Sequence, residues 1–314
     1  MKIETVTTKK DWDRFILKEN GSFLQSFDWG VFQEKQGNPV FRIAVRSKGE
    51  TILQAQIIKE KLPFSKFYFQ LPYGPVTKKG LTEDKRREAE RMLVKQVSGK
   101  GAVFMIVEPL KEFFFGKKAS FRIQPQKTSV IDLTKSIEDI FNSFKKDLRY
   151  SIRTAQKKGV ELEEGPYDER FFDLLEKVKE RKGFSSYHSS YFPELLDTVN
   201  SRFFFVSYEG KLVAGMIMVF FGDTVTSLHS ASDYDYRHLQ TPSLQRFHAC
   251  LEGKKQGFAW HDLWGIEEEK YPGVANFKKK FCGREIVYPQ GKVVVFSHFW
   301  YTLYIIAKKI KRIL

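Results

Sequence analysis

Along the first third of the chain, short apolar runs rich in β-branched and aromatic residues alternate with turn signals. Phe41 to Val45, Thr51 to Lys59, Phe67 to Leu71 and Val103 to Val107 read as strands. Lys48-Gly49, Leu62-Pro63 and Tyr73-Gly74-Pro75 punctuate them. Between the last two strands the period changes: from Thr82 to Ser98, Ala89, Met92, Leu93 and Val97 recur at helical spacing among charged residues, with Thr82 as N-cap. A shorter helix is expected from Asp28 to Gln36, ending near Gly37.

A basic connection containing proline, Gly116 to Lys127, leads to Ser129-Val130-Ile131-Asp132-Leu133, where a second unit begins. Helices are predicted over Ser136 to Phe144, over Lys146 to Lys158 with Gly159 as a stop, and over Asp168 to Lys182 before Gly183. A hairpin follows, Phe203 to Tyr208 and Leu212 to Phe221, around Glu209-Gly210. Then come a strand from Thr224 to Ser230, a helix from Pro242 to Gln256, and strands at Trp260 to Trp264 and Val293 to Phe296. Both halves pair antiparallel strands with helices on a similar scale. The fold class is therefore mixed α/β (α+β), two copies of one unit. The expected domains are 1–128, with the terminal helix 297–314 packing back on it, and 129–296.

That terminal segment, Phe299 to Leu314, has an apolar face of Trp300, Leu303, Ile306, Ala307, Ile310, Ile313 and Leu314, flanked by Lys308, Lys309, Lys311 and Arg312. It suits packing on the first unit, lying on an anionic membrane surface, or both.

A length of 314 residues agrees with two domains. Lys and Arg number 53 against 38 Asp and Glu, a net charge of +15, so an anionic partner is the first expectation. With two cysteines, Cys250 and Cys282, neither a disulfide framework nor a Cys-rich zinc site is available. The first residues lack the apolar stretch of a secretory signal, and no uncharged run is long enough to span a bilayer; a cytosolic protein is expected.

No G-x-S-x-G, H-E-x-x-H, C-x-x-C, P-loop or G-x-G-x-x-G occurs. What remains is chemistry that needs mainly positioning, such as transfer of an already activated group, with no metal or cofactor. The most informative segment is residues 261–283, HDLWGIEEEKYPGVANFKKKFCG. A strand ends at Asp262-Leu263-Trp264-Gly265, an acidic loop follows, and Phe277-Lys278-Lys279-Lys280-Phe281 sets a lysine beside apolar neighbours. Such a lysine either aims its ammonium at developing oxyanion charge or belongs to a solvated basic helix end.

This segment resembles the C-terminal signature of the Fem (FemABX-like) family of peptidoglycan-bridge aminoacyltransferases. Leu24-Gln25-Ser26 with Trp29, Tyr73-Gly74-Pro75, Ile131-Asp132-Leu133, Arg149 to Val160, and Ser230-Ala231-Ser232 with Arg237 are similar to other parts of the family pattern, in the same order. The resemblance spans nearly the whole chain and implies two tandem acetyltransferase-like (GNAT-like) domains with mixed sheets flanked by helices. It implies transfer of an amino acid from aminoacyl-tRNA to an amine of a peptidoglycan precursor, nucleotide-linked or lipid-linked. The family's helical arm has no counterpart between Phe184 and Phe203.

By the same resemblance Lys278 stabilises the oxyanion or the leaving hydroxyl. Glu108, before Pro109, is the candidate base or else a strand-end acid. Lys35, Tyr187, Tyr191, His229, Arg237 and Phe277 form the implied substrate-binding set, although Gln33 stands where the family's basic residue after Trp29 would fall. Lys145, Lys146, Arg149, Arg153, Lys157 and Lys158, with Asp147 the single acid among them, read as a tRNA phosphate contact or as a solvated helix. A monomer peripheral to the inner face of the plasma membrane is the expected state. Two rival readings are an acyl-CoA-dependent N-acyltransferase, disfavoured because Asp233 to Pro242 lacks a glycine-rich pyrophosphate loop, and a noncatalytic RNA-binding or membrane-surface protein.

Overall fold

In the computed structural model, which describes residues 1–182 and 187–313, the chain separates into two compact units, 1–124 with 288–314, and 125–287. The first unit begins β1 (Lys2–Thr5), α1 (Lys9–Lys18), α2 (Phe27–Lys35), β2 (Val40–Ser47), β3 (Glu50–Lys61), β4 (Phe67–Pro72), β5 (Val76–Thr77), α3 (Glu83–Ser98), β6 (Phe104–Glu108) and β7 (Lys117–Lys118). The second contains β8 (Lys127–Asp132), α4 (Ile137–Ser143), α5 (Lys146–Lys157), β9 (Glu161–Gly165), α6 (Arg170–Lys182), α7 (Tyr191–Thr198), β10 (Ser201–Tyr208), β11 (Lys211–Phe221), β12 (Thr224–Ser232), α8 (Thr241–Lys255), β13 (Trp260–Asp262), α9 (Pro272–Lys279) and β14 (Arg284–Val287). The chain then returns to the first unit with β15 (Lys292–Val295) and α10 (His298–Ile313).

Two periods in the sequence become two sheets. The first has the order β1-β2-β3-β4-β6-β15-β7, with β5 paired to β3; the second has β14-β8-β13-β12-β11-β10-β9. Each contains the run strand, two helices, three antiparallel strands, crossover helix, parallel strand: β1 to β6 in one unit, β9 to β13 in the other. The parallel steps are β4 to β6 through α3 and β12 to β13 through α8. Parallel neighbours need such a crossover, and this is where α3 and α8 lie. Thr82 caps α3 as expected, its Oγ1 accepting from the Lys85 amide at 3.4 Å.

One strand is not where its position in the chain suggested. The strand expected at Val293 to Phe296 was to complete the second unit. It pairs antiparallel with β6 instead, Val293 opposite Ile106, and closes the first sheet. The corresponding place beside β13 is taken by β8, which comes from the second unit's own start. The second unit accordingly runs from Pro125 to Val287.

The α10 face is the second correction. Tyr301, Tyr304 and Ile305 pack inward on Phe104, Tyr68 and Phe121, joined by Trp300 from the expected apolar face, whereas Leu303, Ile306 and Ile310 from that face are exposed. The side chains of Lys311, Arg312 and Ile313, together with Leu314, lie outside the described residues, as do Gly183 and Phe184. The second unit's core is built from α4, α5 and α8 on one face of the sheet: Phe144, Leu148, Ile152, Met216, Met218, Phe247 and Phe281.

Candidate active site

The second unit collects buried ionisable groups around the end of β13. This strand is shorter than expected and stops at Asp262, because Trp264 takes a left-handed backbone, φ 60°. The Asp262 carboxylate holds that turn: its Oδ1 accepts from the Trp264 amide at 2.7 Å and from the Thr128 hydroxyl of β8. Burial raises the Asp262 pKa, and these donors with the nearby Lys278 charge act against that rise.

The fixed turn presents two carbonyl oxygens to α9. Pro272 sits in the first turn of that helix, where its missing amide costs nothing. Ala275 and Lys278 face inward, and Phe277 sets its ring edge-on to Phe281, 5.5 Å away. The backbone that closes α9 is left-handed at Cys282, φ 51°, a conformation usually supplied by glycine. At Gly283 the chain passes so near β8 that a Cβ would stand 2.5 Å from Ser129 Oγ and 2.9 Å from Val130 O.

Lys278 is 7% exposed, so it is not part of a solvated helix end. Its Nζ donates to Trp264 O at 3.1 Å and Gly265 O at 2.9 Å. An ammonium carries three hydrogens, so one remains for an incoming oxygen. Burial first, then the positive charge of Arg246, lowers its pKa to about 7, against partial opposition from Asp262 and Glu267.

Arg246 of α8, which is not among the residues expected from the sequence, is 6% exposed. One of its nitrogens donates to Ser230 Oγ at 2.8 Å and another to Pro242 O at 3.5 Å, while Nε is buried without a partner among the described residues. Burial lowers its pKa to about 10. Its guanidinium lies 5.2 Å from the centre of the Phe277 ring. Neither Arg246 nor Lys278 forms an ion pair among the described residues; the buried Asp262 carboxylate acts on Lys278 only from beyond ion-pair distance. The same region holds His261, whose Nε2 is 2.8 Å from Ser227 Oγ and whose Nδ1 is 3.3 Å from Cys250 Sγ. Burial and the two cations push its pKa down to about 3, so the ring is neutral. Helical pattern alone could not single out Arg246, because a buried arginine on α8 looks like any polar position until its neighbours are placed.

The expected substrate set divides. Tyr187, Tyr191 and His229 do come together: the Tyr187 and Tyr191 rings are 4.3 Å apart, and Tyr191 Oη lies 3.5 Å from His229 Nε2. His229 is half-buried, and desolvation pushes its pKa down to about 4. Phe277 belongs to the Lys278 cluster. Arg237 lies apart on an exposed turn, with its guanidinium over the Tyr234 ring and Nη1 on Tyr234 O. Lys35 belongs to the first unit, exposed in the last turn of α2.

Glu108 also lies in the first unit, and the structure gives it a structural occupation. It is fully buried at the end of β6, where Oε1 accepts from the amides of Ile123 and Gln124 at 2.7 and 2.8 Å and Oε2 from Gln70 at 3.5 Å. Burial raises its pKa, but a carboxylate whose oxygens hold the segment leaving the unit is a poor general base, and a surface acid it is not.

Of the basic set, Lys145, Lys146, Arg153, Lys157 and Lys158 are exposed on and beside α5, whose inward face is Leu148, Ile152 and Ala155. Arg149 is committed differently, donating to the carbonyls of Asn142 and Phe144 at the end of α4. Arg153 lies over the Phe141 ring.

A family profile described as the FemAB family matches residues 7–114, 112–209 and 207–309. The chain belongs to the FemAB family. This FemAB chain is 26% identical over 236 residues to the lipid II:glycine glycyltransferase of Staphylococcus haemolyticus (strain JCSC1435), an overlap covering 66% of the chain and 55% of that relative. It therefore spans about half the length of the curated relatives it matches. In three dimensions it resembles the crystal structure of FemX, with a TM-score of 0.79 at 18% identity over 96% of this chain and 99% of that one. It also resembles a tandem GNAT protein from the clavulanic acid biosynthesis pathway, with a TM-score of 0.54 at 9% identity over 94% and 99% of the two chains. The FemAB chain thus has the duplicated acetyltransferase-like architecture that its sequence suggested.

Proposed function

We propose that this FemAB-family protein transfers an amino acid from aminoacyl-tRNA to an amine of a peptidoglycan precursor, extending its stem peptide or bridge. The observation that carries the reading is the buried ammonium of Lys278, with two hydrogens on Trp264 O and Gly265 O and a third unspent. An aminoacyl ester is already activated, so the acceptor nitrogen attacks its carbonyl carbon without a protein nucleophile. The C–N bond forms, the C–O bond to the ribose breaks, and the proton lost by the amine balances the one gained by the leaving hydroxyl. Negative charge develops on the carbonyl oxygen in between. A donor held in place by two carbonyls, in a dry site with a second cation nearby, suits that charge without reorganisation.

The reaction needs no metal or cofactor, with aminoacyl-tRNA as co-substrate. The exposed cations of α5 suit tRNA phosphates, and the Tyr187, Tyr191 and His229 group suits the uncharged part of an acceptor. The name of the staphylococcal relative makes glycine and a lipid-linked acceptor the first pair to try. A lipid-linked acceptor would place this protein, as a monomer, at the inner face of the plasma membrane. Among the described residues no helix is long and apolar enough to cross a membrane.

The test is incubation with a pool of charged tRNA and either nucleotide-linked or lipid-linked precursor, followed by mass analysis. The expected product is heavier than the precursor by one aminoacyl residue. Acetyl gain from acetyl-CoA, or no gain from any donor, would overturn the reading.

A further inference from the structure

The first unit exposes apolar side chains that its own core does not use. In α10, Phe299, Leu303, Ile306 and Ile310 are all exposed, and their spacing i, i+4, i+7, i+11 puts them on one stripe. The opposite side of the helix is anchored by Tyr301, Tyr304 and Ile305. The stripe therefore stands ready on a fixed helix.

A second, distant segment joins it. The turn between β3 and β4 closes through the Leu62 amide to Lys66 O at 2.8 Å, and it holds two consecutive residues in the left-handed region, Phe64 at φ 58° and Ser65 at φ 54°. A bulky residue there carries backbone strain. The outcome is a phenylalanine 81% exposed at the tip, which the packing of the unit does not explain. Its ring lies 6.1 Å from Trp300, itself 5.5 Å from Phe299, and Lys66 Nζ stands 4.9 Å from the Trp300 ring centre. Trp300 thus joins the turn to the helix.

All charges in the two segments have one sign. Neither α10 nor residues 61–67 contain an acid, while Lys61, Lys66 and Lys309 border the apolar residues. We infer that the Phe64 turn and the outward stripe of α10 form a docking surface for a bilayer bearing anionic lipid headgroups. Aromatic and aliphatic side chains would enter the boundary between headgroups and acyl chains, and the lysines would meet the phosphates. Self-pairing of this face would set like charges against each other, and nucleic acid has no use for exposed Leu303, Ile306 and Ile310. This inference goes beyond the transfer reaction and does not rest on it, because vesicle binding is read without turnover.

The test is flotation of the full chain with vesicles of phosphatidylglycerol and phosphatidylcholine, against vesicles of phosphatidylcholine alone. Binding to the anionic vesicles is expected, weaker at high salt. The triple variant Phe64→Ser, Leu303→Ser, Ile306→Ser should lose about tenfold or more of that binding. Its thermal unfolding and its turnover of a soluble nucleotide-linked acceptor should match wild type, because the three side chains are exposed. Failure of the wild type to bind, or equal binding by a folded triple variant, would overturn the proposal. So would a dimer in sedimentation, or tRNA binding, that the triple variant alone abolishes while vesicle binding persists.

Discussion

Glu108 and Asp262 hold corresponding places in the two units, each at the end of the parallel strand that follows a crossover helix. Both are buried carboxylates that accept backbone amides, Ile123 and Gln124 in one case and Trp264 in the other. Their consequences differ. In the first unit the carboxylate ends the matter, tying down the segment that leaves the unit. Glu90, whose pKa burial raises to about 7, does the same for the Phe114 amide at 2.9 Å. In the second unit the turn that Asp262 fixes carries two carbonyls that meet a buried lysine, next to a second buried cation with an unpartnered Nε. Buried acids satisfied by backbone donors are architecture; a buried lysine and a buried arginine with no direct ion pair among the described residues suit an anion. A duplicated fold thus supports structure with one strand end and, in the reading proposed above, chemistry with the other.

The largest effect that could break this contrast is Lys278→Met. Transfer should fall by about 10² to 10³, the range for loss of one oxyanion donor, with cooperative unfolding retained. Near-normal turnover would remove Lys278 from the reaction. The variant also has a stability signature. Because the folded pKa is about 7 against an ordinary 10.5, the unfolded chain binds the extra proton between those values, and this group makes wild-type stability rise with pH across that window. The Met variant should lack that rise when melting temperatures are compared from pH 7 to 10.

Next in size is neutralisation of Lys146, Arg153, Lys157 and Lys158, leaving out Arg149 because its guanidinium serves α4. Affinity for tRNA should drop by about tenfold or more, and the slope of log K against log salt should shrink by up to ~0.9 per lost phosphate contact. An unchanged slope would show that the second unit's basic helix is merely solvated.

Arg246→Met sharpens the comparison through pH. Removing a neighbouring positive charge lets the Lys278 pKa rise above about 7, so the decline of turnover with rising pH should move to the alkaline side. A profile that stays in place would mean that Arg246 does not act on Lys278. The smallest effect is expected from Glu108→Gln, which keeps an acceptor for the Ile123 and Gln124 amides: turnover within about twofold, stability lower by ~1 kcal/mol. A hundredfold loss of activity in that folded variant would restore Glu108 as the base.

Most elements were legible because apolar period is a local property. The run Ala89, Met92, Leu93, Val97 announced α3, and the alternation around Glu209-Gly210 announced the β10 and β11 hairpin. Lys278 was legible as a candidate because Phe277 and Phe281 flank it at helical spacing. The helices α1 and α7 and the short strands β1, β5, β7, β9 and β14 are not among the elements that the pattern predicts. Val293 to Val295 was recognised as a strand, but its partner was not, since a period of two says nothing about which edge a strand will join. In α10 a helical pattern with apolar residues nearly all round does not say which side the fold will cover, and the tyrosines, not Leu303 and Ile306, turned inward.

The sequence by itself determined the duplicated α/β plan, the order of the family motifs, the excess of positive charge and the lysine on which the chemistry is proposed to turn. Only the tertiary structure decided which unit β15 completes, which face of α10 stays open, and that Arg246 and Lys278 share one buried region with no ion pair to either among the described residues. The reason is physical: secondary structure follows neighbours along the chain, whereas strand partners, exposed faces and pKa values depend on neighbours in space, and those arrive from segments far apart in sequence.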